Sequence, residues 1–327
     1  MNALKRLSLD VRVRHSLSWS ILVIIILGMV LGLGRATKKI DYIWQWQRMP
    51  RYLLFKKQIN IISGDSGTVS SIGSAGKGKV VTIHTSEGKD ETYRVPQGKV
   101  DVAEGDDLNS GDIIGSYKRW APGILLIGLW LTLKMSFVSV ILAVIIGLIT
   151  GLARISTSPA PKWLAIGYIE LIRGTPLLVQ IYIFYFFIGQ LFSLSNEIAG
   201  ILALSFFAGA YVAEIVRAGI QSIHRGQMEA ARSLGMTYPQ SMRFIILPQA
   251  FKRIMPPLAG QFISLIKDSS LVSIIAITDL TKAGREIATS TFSPFEAFFT
   301  VAALYLILTF SLSMFVQYLE RRYSTID

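Results

Sequence analysis

EAARSLGMTYPQSMRFIILPQA, residues 229–250, sets charges, a glycine and a proline between apolar runs. Residues 227–234 have helical composition, and Gly235 stands where a helix needs a left-handed residue to end. Thr237 and Gln240 have the spacing of a capping box, and Pro239 suits a first turn because its missing N–H would have had no partner there. The stretch therefore predicts a short helix, a glycine turn, and a second helix that runs into the apolar sequence beyond. Glu229 and Arg232 point outward from the first helix, which reads as a lever for a partner. An ordinary amphipathic loop would explain the charges, but not a glycine turn followed by a capped helix.

The rest of the chain says what the lever is attached to. Of 327 residues, 51% are hydrophobic and only 17% charged, which describes a protein whose main solvent is lipid. The net charge of +12 comes from basic residues that flank apolar runs, and no nucleic-acid-binding motif is present. With no cysteine, and with His15, His84 and His224 scattered, disulfides, thiolate metal sites and cysteine nucleophiles are excluded and no metal-ligand spacing appears.

Six apolar runs are long enough to cross a bilayer: 17–33, 124–152, 171–192, 198–220, 254–277 and 295–318. The first follows Lys5, Arg6, Arg12 and Arg14. It lacks a small-residue cleavage pattern at its exit, so it is expected to be a retained anchor. Arg154, Lys162 and Arg173, then Arg225, Arg232, Arg243, Lys252 and Arg253, mark two cytoplasmic loops, and Arg321 and Arg322 follow the last run on the same side. Arg35, Lys38 and Lys39 fall on the outer side, where a long exported segment is weakly constrained by charge. The expected organisation is a cytoplasmic N-terminus and extra helix over 1–34, an interfacial segment over 35–61 and an extracytoplasmic β-domain over 62–119. A transmembrane core over 120–327 follows, with its cytoplasmic loop at 221–250.

The β-domain is predicted from short alternating runs, GTVSSI, KVVTIHTS and ETYRVP, broken by glycine-rich turns. Residues 67–115 resemble the barrel-sandwich hybrid fold, most closely the version inserted in bacterial RNA polymerase. The EGKDE hairpin lacks the carrier-lysine motif, so Lys89 is a turn residue. GSAGKGKV at 73–80 has P-loop spacing, yet Val80 replaces the magnesium-holding hydroxyl and a strand follows where a helix is needed. GDSG at 64–67 has no scaffold for a triad. No nucleotide site and no hydrolytic site is expected.

Glu229, Ala230, Ala231 and Gly235, followed by Phe244 to Pro248, resemble the EAA loop of permease subunits of ATP-binding-cassette importers. ELIRGTPLLVQ, AYVAEIVRAGIQSI, KDSSLVSII and ATSTFSPFEAF resemble the polar amino acid branch of that family, and the resemblance spans 120–327. It implies a five-helix permease core and two permease subunits, identical or related. It also implies a cytoplasmic ATPase dimer clasping the EAA helices, a solute-binding protein delivering an amino acid from outside, no cofactor, and a bacterial cytoplasmic (inner) membrane location. ATP hydrolysis would belong to the partner, with Glu229, Ala230, Ala231, Arg232 and Gly235 coupling it to the spans.

Charged and polar residues inside the apolar runs are costly, by about 2.5–3.5 kcal/mol each on insertion scales. Lys134, Glu214, Lys267 and Asp268 are such residues, and mere anchors would not need them. Glu214 can pair with Arg217 at i, i+3. Lys267, Asp268 and Ser269, with Glu214, are the candidates for the substrate pathway. Alternatively Lys267 and Asp268 pair across the bundle, with Glu214, Arg217 or each other's helices, and hold a gate without touching substrate. Gly147 and Gly151 permit close helix contact, within or between chains. A secondary transporter would need paired broken helices in two repeats, and no internal repeat appears. A membrane-anchored extracytoplasmic binding module would make the spans passive.

Overall fold

The computed structural model describes residues 2–324 apart from Lys77 and Gln97; the side chains of residues 2–18, Val30, Leu33, Leu319, Glu320 and 322–324 also lie outside the description. The expectations placed on the basic flank Lys5, Arg6, Arg12 and Arg14, and on Arg322, fall on those side chains. The chain divides into two units, Met1–Trp46 and Gln47–Asp327. In the first, helix α1 (Asn2–Lys39) includes a stretch, Trp19–Lys39, apolar and long enough to cross a membrane. Trp44 then stacks on Trp46 at 5.6 Å, with Tyr42 edge-on to Trp44 at 5.3 Å.

The second unit opens with the one-turn helix α2 (Pro50–Leu53) and seven strands: β1 (Leu54–Ile62), β2 (Gly67–Ala75), β3 (Gly78–Thr85), β4 (Asp90–Pro96), β5 (Lys99–Val100), β6 (Asp107–Leu108) and β7 (Ile113–Pro122). They form two antiparallel sheets, ordered β1-β7-β5 and β4-β3-β2-β6. Alternation puts Val69, Val81, Ile83, Val95, Leu108 and Ile114 into one small core. The alternating runs at β2, β3 and β4 stand where hydropathy put them. β1 does not: residues 54–61, read as interfacial, are a strand that pairs with β7 from Leu54↔Pro122 to Ile62↔Ile113. The strands thus begin before residue 62 and end after residue 119. The P-loop-like stretch is the β2–β3 hairpin, with Gly76 at φ 61° and no helix after it, as expected. Lys89 lies in an exposed turn beside Glu87.

Helix α3 (Ile124–Arg154) continues from β7. After it come α4 (Pro159–Arg173), α5 (Leu177–Tyr182) extended by a π-helix over Ile183–Gly189, α6 (Asn196–Gln221) and α7 (Arg225–Ser233). The chain ends with α8 (Tyr238–Ser241), α9 (Leu247–Asp268), α10 (Leu280–Thr291) and α11 (Pro294–Ser324). Five helical stretches are long and apolar enough to cross a membrane among the described residues. The expected span 171–192 is not one continuous helix: α4 ends at Arg173, α5 begins at Leu177, and the pair is bent by 105°, which makes a sixth crossing only if the pair counts as one broken span. Pro176 disfavours helix at the residue before it, and Thr175 Oγ1 donates to the Leu171 carbonyl at 2.9 Å, closing α4. Leu177–Gly189 alone extends about 20 Å, short of the roughly 30 Å hydrocarbon core.

The core of this helical body is the α3–α6 contact. A Cβ built on Gly147 would sit 2.4 Å from Val212 Cγ1, and one on Gly151 2.9 Å from Val216 Cβ. The glycine pair is used inside one chain. Leu204, Val212, Ile254, Leu265 and Val272 belong to the same buried cluster, so α6 is the central helix on which α9 also packs.

Candidate functional site

The stretch 229–250 folds as a helix, a turn and a helix. His224 caps α7, its Nδ1 accepting the Gly226 N–H at 3.1 Å. At the other end Gly235 has φ +83°; its N–H donates to the Arg232 carbonyl at 3.0 Å, and the Met236 N–H donates to the Ala231 carbonyl at 3.2 Å. Those two bonds are a Schellman motif, which satisfies carbonyls the helix would otherwise strand. Thr237 and Gln240 then close a capping box, with the Thr237 N–H donating to Gln240 Oε1 at 2.9 Å and Pro239 in the first turn. A π-turn over Met242–Ile246 leads into α9.

One polar tie fixes α7 to α9, Gln249 Nε2 donating to Gln227 Oε1 at 3.3 Å, and Arg253 Nη1 of α9 donates to the carbonyl of Ser222, the C-cap of α6, at 2.6 Å. Ala231 is buried against the body, while Glu229, Ala230 and Arg232 are exposed. Leu234, which sequence reasoning passed over, is 84% exposed at the tip. Its signal was present: an apolar residue directly before a left-handed glycine, where no core remains to receive it.

Glu214 has three arginine partners. Arg217 Nη2 donates at 2.9 Å, Arg173 Nη1 lies 3.8 Å away, and Arg154 Nη1 is closer still. Arg154 and Arg173 are the last residues of α3 and α4, so the cluster sits where three helices end on one side. Lys134, by contrast, pairs with Glu197 at 2.9 Å. Glu197 and Glu214 are seventeen residues apart on α6, about 25 Å along the axis, so these charges belong to opposite ends of the bundle.

Lys267 and Asp268 close α9, and the chain then tightens to a 3-10 helix over Ser269–Ile275. Ser269 Oγ donates to the Ile266 carbonyl at 2.7 Å, satisfying an acceptor at that change of pitch. Lys267 is exposed in the single chain and Asp268 half-buried. Among the described residues neither forms an ion pair, and the oxygens of Glu214 are taken by arginines; pairing across the bundle with Glu214 or Arg217 is not what the fold makes.

Helix α10 carries little apolar character and has no counterpart among the expected spans. It is organised by Asp279, fully buried, whose Oδ1 accepts the Lys282 N–H at 2.9 Å and whose Oδ2 accepts the Thr281 N–H at 3.1 Å. Thr132 Oγ1 on α3 accepts the Leu280 N–H at 3.1 Å, and Tyr305 on α11 reaches both Thr281 and Asp279. One N-cap thus ties three elements together. No group of three or more potential metal ligands occurs among the described residues.

The spans, the bent pair and the exposed helix held beside α6 and α9 define a multi-pass helical membrane protein of the permease class. Residues 143–325 match the family described as binding-protein-dependent transport system inner membrane component, and the chain belongs to that family. It is 41% identical over 196 residues, 60% of this chain and 91% of the relative, to the probable glutamine ABC transporter permease protein GlnM of Bacillus subtilis (strain 168). It is 37% identical over 205 residues to the arginine transport system permease protein ArtQ of the same organism, covering 62% of this chain and 94% of that one. Among solved structures, an amino acid ABC transporter crystallised with histidines matches at TM-score 0.58 and 43% identity, over 61% of this chain and 94% of that one.

Proposed function

We propose that the chain is the translocation subunit of an ATP-driven importer of a polar amino acid in a bacterial cytoplasmic membrane. It works as a pair of permease subunits, with ATPase subunits on the α7 side and a solute-binding protein on the other. The observation that carries the reading is α7 itself. It is an exposed nine-residue helix, closed by a Schellman turn and tied by Gln249 to α9, which Arg253 in turn bonds to the end of α6. A push on Glu229, Arg232 or Leu234 from a partner reaches α9 through Gln249, and α6 through the Arg253–Ser222 bond between α9 and the end of α6. The named substrates of its relatives, glutamine and arginine, support the polar amino acid class.

Lys267 fits a place along the pathway or against a second subunit. A charge exposed about three-quarters of the way from Tyr238 to Ile275, at membrane depth, requires a wet cavity or a protein partner. The Glu214 cluster is read as a structural clamp, because its carboxylate is already matched by three guanidinium groups.

The experiment is coupled transport in proteoliposomes with ATPase and binding protein. Glu229→Lys reverses the lever's charge, and Gly235→Val forces a β-branched residue into a positive-φ position that costs about 1–2 kcal/mol or more. Both are expected to cut import at least about tenfold while the chain still inserts, with ATP hydrolysis no longer stimulated by the binding protein. Parental import by both variants would sink the lever.

A further inference from the structure

The β1–β7 ribbon is the stem on which the strands stand, and its charges do not suit a stem in water. Lys56, Lys57, Lys118 and Arg119 are all exposed, and the register sets Lys57 directly opposite Arg119. Like charges across a strand pair are destabilising. Nothing nearby in the chain relieves them: no carboxylate occurs over 42–64 or over 113–169, and all nine carboxylates between residues 54 and 122 fall within 65–112. Among the described residues none of the four basic side chains forms an ion pair.

The same stem is apolar where it is basic. Trp120 is 63% exposed, Leu54 51% and Phe55 39%; Lys56 Nζ lies 5.2 Å from the centre of the Trp120 ring. Register puts Leu54, Lys56, Lys118, Trp120 and Pro122 on one face of the ribbon and Phe55, Lys57, Arg119 and Ala121 on the other. Trp120 precedes the first residue of α3 by four positions, about 13 Å of extended chain, so the ribbon stands at the depth where a bilayer carries its headgroups.

We propose that this ribbon binds the phosphodiester headgroups of anionic phospholipid. Lys57 and Arg119 share one phosphate between them, Lys56 and Lys118 approach another from the opposite face, and Trp120 and Phe55 sit at the boundary with the acyl chains. An anion between Lys57 and Arg119 turns a repulsive cross-strand pair into an attractive triad, and the bilayer is the anion source that the position beside α3 supplies. The strands are thereby held to the membrane surface by their base, with their acidic loops facing away. This inference is independent of which solute is carried.

The test is the full chain in nanodiscs of phosphatidylcholine containing a minor fraction of phosphatidylglycerol, with lipid retained after detergent extraction counted by native mass spectrometry. Phosphatidylglycerol is expected to be retained over phosphatidylcholine, and retention to fall about tenfold on replacing the four residues together, as Lys56→Gln, Lys57→Gln, Lys118→Gln and Arg119→Gln. If that variant fails to fold, Lys118→Gln with Arg119→Gln alone is read, with an expected loss of several-fold. A preference for phosphatidylglycerol that survives in a folded variant, or equal retention of the two lipids by the parent, overturns the proposal. Displacement of the lipid by inorganic phosphate at equal concentration would make the ribbon a free-phosphate site and overturn the lipid assignment.

Discussion

Lys267 and Asp268 are neighbours in sequence with different surroundings: one is exposed in the single chain, the other half-buried where the α-helix gives way to a 3-10 turn. Adjacent positions on a helix point about 100° apart, so one small zwitterion does not readily meet both. Lys267→Met and Asp268→Asn should therefore fail in different ways. The first is expected to lower import of every accepted solute alike, several-fold, with little loss of thermal stability, because Lys267 forms no ion pair among the described residues. The second should leave stability unchanged or slightly raised, since it removes a charge from a half-buried place. Transport assays with two competing amino acids, alongside thermal unfolding of the purified chain, separate these results. A change of selectivity in Lys267→Met would mean solute contact instead. At this scale the sequence was legible wherever local chemistry decides conformation: the left-handed Gly235, the Thr237–Gln240 box and the Glu214–Arg217 pair are all made. It was not legible for Arg154 and Arg173, whose approach to Glu214 depends on how three helices end together.

Hydropathy found the helices that are apolar throughout and misjudged the elements whose character comes from their neighbours. Helix α10 is polar enough to pass for a loop, and it holds because Asp279 caps it and Leu280, Ala283 and Ile287 bury their side chains against Leu125, Ala297 and Val301. The stretch 171–192 reads as one span by composition, while RGTP at 173–176, with a cap at Thr175 and Pro176 opening the next turn, marks the break that separates the helix before it. Strand β1 looked interfacial because its pairing partner lies about sixty residues away. Gly147 and Gly151 gave a correct signal of close approach without naming the partner, and α6 proves to be that partner. Gly147→Ala is accordingly expected to destabilise the chain by about 1–3 kcal/mol through overpacking against Val212. Val212→Ala in the same chain should recover much of that loss. Thermal unfolding of the two single variants and the double variant closes the cycle, and simple additivity would show that the two residues do not meet.

For the whole molecule, the lever and the strands should lie on opposite sides of the membrane, because α3 joins the end of β7 to the helix terminus where the arginine cluster gathers. The chain has no cysteine, so single ones report cleanly. Ser86→Cys, in an exposed turn after β3, should react with an impermeant maleimide added to intact cells, and Ser233→Cys on α7 should react only after permeabilisation. The reverse pattern would invert the orientation. The way the strands are joined to the rest has a practical corollary. The Gly123 N–H donates to the Leu53 carbonyl at 2.7 Å, and a Cβ on Gly123 would collide with the Tyr52 carbonyl, so the two connections leave side by side like the poles of a plug. Paired antiparallel strands keep their Cα atoms about 5 Å apart. Any autonomous fold whose own ends lie that close, a fluorescent reporter or an affinity handle, can be grafted between residues 58 and 118 without changing where α3 starts, which makes this a ready-made port for watching the machine run.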